Sequence, residues 1–269
     1  MTLPVTYLFV PADRPDRFAK ALGSGADRVI LDLEDAVRAE AKSAAREAIR
    51  NAGLDWRRIV IRMNPADSPF WDDDLALLKR IRPPAVMLPK AESAAVIAMI
   101  VERSGPGTTV LPQIETARGL DRIDQLLTAT GVRRVAFGHL DFAADLDAEP
   151  VREALSFARH RLVWRSRVME RGAPLDSVTA RIDDAATHEE SAAARALGFG
   201  GKLLIHPAQV APCARAFAPT DAQIIWARRV IAATSSGQPG AVALDGQMID
   251  KPVENAARRV LDRARQNAE

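Results

Sequence analysis

The chain holds one cysteine, Cys213, in 269 residues. An intrachain disulfide is therefore excluded, as is any cysteine-rich zinc site. Aromatic side chains make up only 5% of the residues. The interior must then be filled mainly by Val, Leu, Ile and Ala. No apolar run approaches the roughly 18 residues of a membrane span. The stretch Met1–Pro11 carries neither a basic leader nor a long apolar core, so a reducing cytoplasm is the expected location. Long runs of Lys or Arg are also missing. The 37 basic and 35 acidic residues are interspersed and leave a net charge of +2, so nucleic acid is not an expected partner. Arginines outnumber lysines by 31 to six, and Ala is abundant. That bias reads as base composition as readily as function. Finally, no Gly-x-Gly-x-x-Gly follows the first apolar run, where Val10 leads into Pro11-Ala-Asp-Arg-Pro. A dinucleotide-binding open sheet needs that fingerprint.

What is present is a rhythm. Short runs rich in Val, Ile and Leu occur at Tyr7–Val10, Val29–Leu33, Ile59–Met63, Ala85–Leu88, Thr109–Ile114, Arg134–Phe137, Leu175–Thr179 and Lys202–Ile205. Consecutive apolar residues suit strands covered on both faces. Between them, Glu40–Ala52, Asp72–Ile81, Ala91–Arg103, Ala117–Ala129, Val151–Arg171 and Ala185–Leu197 repeat apolar residues at helical spacing. Eight such units predict a (β/α)8 TIM barrel over residues 1–217. The Gly198-Phe-Gly-Gly stretch precedes a strand, so it reads as a helix end and entry turn rather than a phosphate loop. Residues 218–269 are surplus to one barrel and read as a C-terminal helical and hairpin extension. It comprises a helix over Asp221–Ala233, a turn over Thr234–Gly240, a hairpin centred on Asp245-Gly246 and a last helix over Asn255–Ala264.

Barrel active sites lie at the C-terminal ends of the strands. Those ends here carry Asp32, Glu34, Asp35, Arg62, Lys90, Glu115, His139, Asp141 and His206. Asp32, Arg62, Lys90, Glu115 and Asp141 are spaced by 30, 28, 25 and 26 residues, about one βα unit each. Each has an ordinary reading taken singly. Glu115 or Asp141 could be a cap, Arg62 and Lys90 could neutralise Asp32, Glu34 and Asp35, and His206 before Pro207 suits a turn. Together, five carboxylates and two cations on one rim are costly unless they hold a ligand or metal. Glu115 and Asp141 form a hard oxygen pair suited to Mg2+, with Mn2+ as a substitute. Arg62 beside them suits an oxyanion, and the combination suits enolate chemistry.

Several motifs together carry a resemblance. They are Tyr7-Leu-Phe-Val-Pro11, Asp32-Leu-Glu-Asp35-Ala-Val37, Ile61-Arg62-Met-Asn64, Met87-Leu-Pro-Lys90-Ala-Glu92 and Gln113-Ile-Glu115-Thr-Ala117. They continue with Phe137-Gly-His-Leu-Asp141, Gly201-Lys-Leu-Leu-Ile-His206-Pro207 and Asp245-Gly-Gln-Met-Ile-Asp250-Lys-Pro252. The chain resembles the citrate lyase β-subunit-like group of the HpcH/HpaI aldolases, over nearly its whole length. The resemblance implies a (β/α)8 barrel with Mg2+ on Glu115 and Asp141 and Arg62 on a substrate oxygen. It implies cleavage of a 3-hydroxyacyl-CoA, such as citryl-, malyl- or citramalyl-CoA, into an acyl-CoA and an oxoacid. It also implies a homotrimer or hexamer in which Asp250 of one copy completes the site of a neighbour. Glu34, Asp35 and Lys90 are expected to support the substrate and metal groups. The sequence departs from the family pattern at Val5, Thr6 and Ala12, and at His139-Leu140 before the metal aspartate. Asp13 and Asp16 dilute the charge of Arg14 and Arg17, in a segment where such proteins often bind near CoA phosphates. Two other readings stay open. One is a CoA-independent aldolase acting on a free 2-oxoacid, and the other a non-catalytic subunit or binder.

Overall fold

The computed structural model describes residues 3–234, 242–244 and 247–266. They divide into two compact units, Leu3–Ala214 and the segment from Arg215 onward. In the first unit eight parallel strands close into a barrel in sequence order, and β1 pairs with both β2 and β8. They are β1 (Thr6–Pro11), β2 (Arg28–Asp32), β3 (Ile59–Arg62), β4 (Ala85–Leu88), β5 (Thr109–Ile114), β6 (Ala136–Phe137), β7 (Leu175–Asp176) and β8 (Gly201–Leu204). Helices alternate with them: α1 (Phe18–Leu22), α2 (Lys42–Asn51), α3 (Trp71–Ile81), α4 (Ala94–Ser104), α5 (Ala117–Asp121) and α6 (Ile123–Thr128). Then come α7 (His139–Asp145), α8 (Ser156–Val168), α9 (Asp184–Leu197) and α10 (Val210–Phe217), the last running into the second unit. The expected (β/α)8 barrel is therefore present.

One buried residue from each strand fills the interior: Tyr7, Ile30, Val60, Met87, Leu111, Ala136, Leu175 and Leu203. Side chains alternate faces along a strand, so this layer fixes what points inward above it. Two residues on from Ile30 comes Asp32, and two on from Val60 comes Arg62. Four on from Leu111 comes Glu115. Strand register then places Asp32 directly opposite Arg62. The odd positions between, such as Asp176 and Lys202, face the helical layer instead, and they too are register partners.

Local departures from the expected elements have physical causes. The single helix expected over Ala117–Ala129 is two helices, broken at Arg122. Gly119 of α5 lies against the Ala91 carbonyl, where a Cβ would come within 2.6 Å of the oxygen. The break lets α5 keep that contact while α6 buries Ile123, Leu126 and Leu127. Strand β7 stops at Asp176 because the chain beyond it bonds to side chains rather than a neighbouring strand. The Thr179 and Arg181 carbonyls accept from Gln209 Nε2. Helix α8 ends at Val168, before Glu170 turns left-handed at φ +53°. Gly198 ends α9 with φ +110°, donating its N–H to the Ala194 and Arg195 carbonyls, as its helix-end reading requires.

The second unit contains α11 (Asp221–Thr234), β9 (Val242–Leu244), β10 (Gln247–Ile249) and α12 (Lys251–Gln266), with β9 and β10 antiparallel. Ala227, Val230, Ile249, Ala257 and Val260 form its buried core. Most of the turn expected over Thr234–Gly240, and the Asp245-Gly246 turn, lie outside the described residues. Among the described residues no helix is long and apolar enough to cross a membrane.

Candidate active site

The rim residues of β2 to β5 form one connected charge cluster. Arg62 grips Asp32 with two bonds, Nε to Oδ1 at 2.7 Å and Nη2 to Oδ2 at 2.6 Å. Its third nitrogen, Nη1, lies 2.8 Å from Glu34 Oε2 and 3.7 Å from Asp35 Oδ2. The guanidinium also lies over the Phe9 ring, 4.7 Å from the centroid. Two of its five N–H donors bond Asp32. The Nη1 approach to Glu34 is an ion pair without hydrogen-bond geometry, which leaves Nη1 donors for a ligand. Lys90 Nζ takes the other oxygen of Glu34 at 2.8 Å and stands 3.9 Å from Asp141 Oδ1. The Lys90 backbone N–H donates to Glu115 Oε2 at 2.9 Å. That bond depends on an unusual backbone, since Lys90 adopts φ +46°, a left-handed conformation that L residues rarely take.

The sequence around the cluster explains its rigidity. Asp32 accepts from the backbone N–H groups of Glu34 and Ala36, folding the Asp32-Leu-Glu-Asp35 segment over its own side chain. Lys42, buried, bonds the Leu33 and Glu34 carbonyls and Asn64 Oδ1. Asn64 in turn is held by Asp74. Glu115 is fully enclosed, 1% exposed. Gly138 presses against it so closely that a Cβ there would lie 2.3 Å from Glu115 Oε1. Asp141, in the first turn of α7, is half-buried.

Electrostatics set this site apart from an ordinary ion-pair cluster. Burial, reinforced by the charge on Glu34, pushes the Glu115 carboxyl up to about 8, against the pull of the Lys90 N–H and Arg62. Burial raises Glu34 as well, although Arg62 and Lys90 oppose it. For Arg62 burial acts downward, but the charge and hydrogen bonds of Asp32 outweigh it and hold the guanidinium above its ordinary range. Lys90 is likewise raised, because Glu34, Glu115 and Asp141 outweigh its burial. Five carboxylates therefore face Arg62 and Lys90, with Lys42 behind Asp32 and Glu34 as a third cation, and two of the buried acids carry the strain. A divalent cation with oxygen preference fits that donor set. Among the described residues no three His, Cys, Asp or Glu side chains enclose a metal by themselves. Glu115 and Asp141 would supply two ligands, leaving positions for water and substrate oxygens.

Two other sequence candidates act as caps. Asp250 belongs to the second unit, where its Oδ1 accepts from the Val253 N–H and caps α12. His206 is exposed and caps the short turn at Pro207–Gln209 through its Nδ1 and the Ala208 N–H, matching its structural reading. His139 is partly buried. Its backbone N–H donates to Ser177 Oγ at 3.1 Å, and its Nδ1 contacts the same hydroxyl. Burial, then the Lys202 charge, holds its imidazole below the ordinary range. Sequence reading missed Phe9, Lys42 and Gly138. A cation-facing aromatic and a glycine beside a carboxylate announce themselves only once the strands are in register.

Comparison with known proteins agrees with this geometry. The HpcH/HpaI aldolase/citrate lyase family matches residues 6–207. A citrate lyase subunit beta-like protein of Mycobacterium tuberculosis is 39% identical over 266 residues, covering 96% of this chain and 94% of its own. The (3S)-malyl-CoA thioesterase of Cereibacter sphaeroides is 29% identical, covering 96% of this chain and 94% of its own. The crystal structure of CitE from Mycobacterium tuberculosis in complex with magnesium, acetoacetate and coenzyme A superposes with a TM-score of 0.87. It is 37% identical and covers 97% of this chain and 98% of that one. The chain belongs to the HpcH/HpaI aldolase/citrate lyase family.

Proposed function

We propose that the protein is a Mg2+-dependent carbon–carbon lyase. Its substrate is a 3-hydroxyacyl-CoA of the citryl-, malyl- or citramalyl-CoA type, cleaved into an acyl-CoA and an oxoacid. The observation that carries this reading is the acid excess around Glu115, Asp141 and Arg62, with Glu115 held near pKa 8. Glu115 and Asp141 would hold Mg2+, which when bound would supply a Lewis acid to substrate oxygens. Arg62, locked by Asp32, turns its remaining N–H donors to the acyl oxygen. As the C–C bond breaks, its electron pair passes to the acyl carbon fragment, and Arg62 stabilises the resulting enolate oxygen. The substrate hydroxyl proton leaves to a base, and the enolate carbon takes a proton to complete the acyl-CoA. Asp250 of a neighbouring copy serves as that base, in a homotrimer or hexamer whose C-terminal arms, residues 218–269, are exchanged beyond barrels of residues 1–217. Glu34, Asp35 and Lys90 orient Arg62 and the metal carboxylates. The reaction is cytoplasmic.

A second reading, a CoA-independent aldolase on a free 2-oxoacid, has one observation in its favour. Arg14 is engaged by Asp16 through Nε at 3.0 Å and Nη2 at 2.9 Å, so its charge is already met. A panel of hydroxyacyl-CoA thioesters and free hydroxy acids, assayed for oxoacid release with Mg2+, separates the two. Release from a thioester supports the lyase. Release from the free acids alone overturns it.

A further inference from the structure

Helix α7 is fastened at both ends to other strands' loops. At its start, the His139 backbone N–H and ring both meet Ser177 Oγ, beyond β7. At its end, Asp145 Oδ2 accepts from the backbone N–H of Ala117, 28 residues earlier, at 2.7 Å. Ala117 is two residues beyond Glu115. Between them Thr116 is itself fixed, donating to Glu92 Oε1 at 2.7 Å and accepting from the Gly119 N–H at 3.0 Å. Asp141 sits within α7, between the two fastenings. Glu115 and Asp141 thus come from separate βα loops, and the Asp145–Ala117 bond is a direct bond between those loops. An acid in the last turn of a helix gains nothing from that helix's own carbonyl end. Asp145 is exposed and sits in such a turn, so the cross-loop bond is what its position explains. A carboxylate accepting a backbone N–H at this length is a strong, charge-assisted bond.

We propose that Asp145 is a positioning residue. By holding the Ala117 N–H it sets the separation of Glu115 from Asp141, and so the affinity of the site for a divalent cation. This rests on reading Glu115 and Asp141 as the Mg2+ carboxylates. Residues that orient metal ligands in this way typically change affinity by about 10–100-fold when removed.

The bond can be cut from either side. Asp145→Ala removes the acceptor. Ala117→Pro removes the donor and leaves Asp145 in place. Position 117 is the first residue of α5, where proline is tolerated, and Thr116 before it is already extended at φ −136°, ψ 154°. Mg2+ and Mn2+ dissociation constants are measured by calorimetry on the full chain, with thermal melting alongside. Both variants are expected to bind about tenfold more weakly, with melting temperatures near wild type, and the double variant is expected to lose no more than either alone. Asp145→Asn keeps an oxygen acceptor and is expected to stay within about threefold of wild type. Wild-type affinity in both Asp145→Ala and Ala117→Pro overturns the proposal, as does a loss in Asp145→Asn as deep as in Asp145→Ala. Glu115→Gln serves as the reference. If it alone loses binding, the metal reading stands and the brace falls. If it binds as wild type does, the metal reading itself falls.

Discussion

Two buried charge clusters lie in this barrel, and they are built alike. Each begins with an acid and a base that are register partners on adjacent strands, Asp32 with Arg62 on β2 and β3, and Asp176 with Lys202 on β7 and β8. They face opposite ways. The first points up the barrel interior to the rim. The second points outward to the helices, where Arg159 of α8 lies 2.8 Å from Asp176 Oδ1 and Glu190 of α9 lies 3.7 Å from Lys202 Nζ. The decisive difference is balance. Behind β7 and β8 two acids meet two bases. There Asp176 is held below its ordinary range, since Lys202 and Arg159 outweigh its burial. On the rim five acids meet Arg62 and Lys90, with Lys42 behind them as a third cation, and Glu115 and Glu34 are pushed up. A balanced buried cluster is a strut. An unbalanced one needs a further cation, which is how a binding site announces itself in charge arithmetic.

The comparison breaks most visibly at Glu115. Glu115→Gln should reduce Mg2+-dependent oxoacid release on the order of 10³-fold, the several kcal/mol a metal Lewis acid contributes, and leave the fold intact by circular dichroism. The mirror experiment is Lys202→Met. It should cost about 3–5 kcal/mol in denaturant unfolding, because Asp176 and Arg159 lose their buried balance, while Mg2+ affinity stays at wild type. An exchange of those two outcomes would reverse the assignment of strut and site.

A smaller effect is the pH dependence of stability. Glu115 titrates near 8 when folded and near 4.3 when unfolded. The folded chain therefore holds the proton more tightly. The contribution of Glu115 is full below its unfolded pKa and is lost as pH rises through about 8. Metal-free protein should lose melting temperature over that range, and Glu115→Gln or saturating Mg2+ should flatten the loss. Smallest of all is Gly138→Ala. The added Cβ would stand 2.3 Å from Glu115 Oε1, so the carboxylate must shift, and Mg2+ affinity should fall by about tenfold in a calorimetric titration.

How much of this was legible beforehand follows the physics of each signal. The barrel was legible, because buried parallel strands leave consecutive apolar runs such as Val29–Leu33 and Ile59–Met63, one βα unit apart. Polar groups at the ends of those runs marked the rim, so Arg62, Lys90 and Glu115 stood out. Asp32 with Arg62 is a contact of register, which the spacing only hinted at. The break at Arg122 was hidden because both halves of the segment keep helical periodicity. The cluster behind β7 and β8 was hidden for another reason. Asp176 and Lys202 lie inside strand-like runs, and only strand register pairs them. The bond from Asp145 to the Ala117 N–H involves a backbone group, and no side-chain pattern records it.

The central claim is that the rim is short of positive charge and that Mg2+ meets the deficit at Glu115. The most direct measurement is the proton release on Mg2+ binding at pH 7, read by calorimetry in two buffers of different ionisation enthalpy. Since Glu115 titrates near 8, wild-type protein should release about one proton per ion bound, and Glu115→Gln should neither bind nor release. Binding without proton release, or equal binding by Glu115→Gln, would contradict the account.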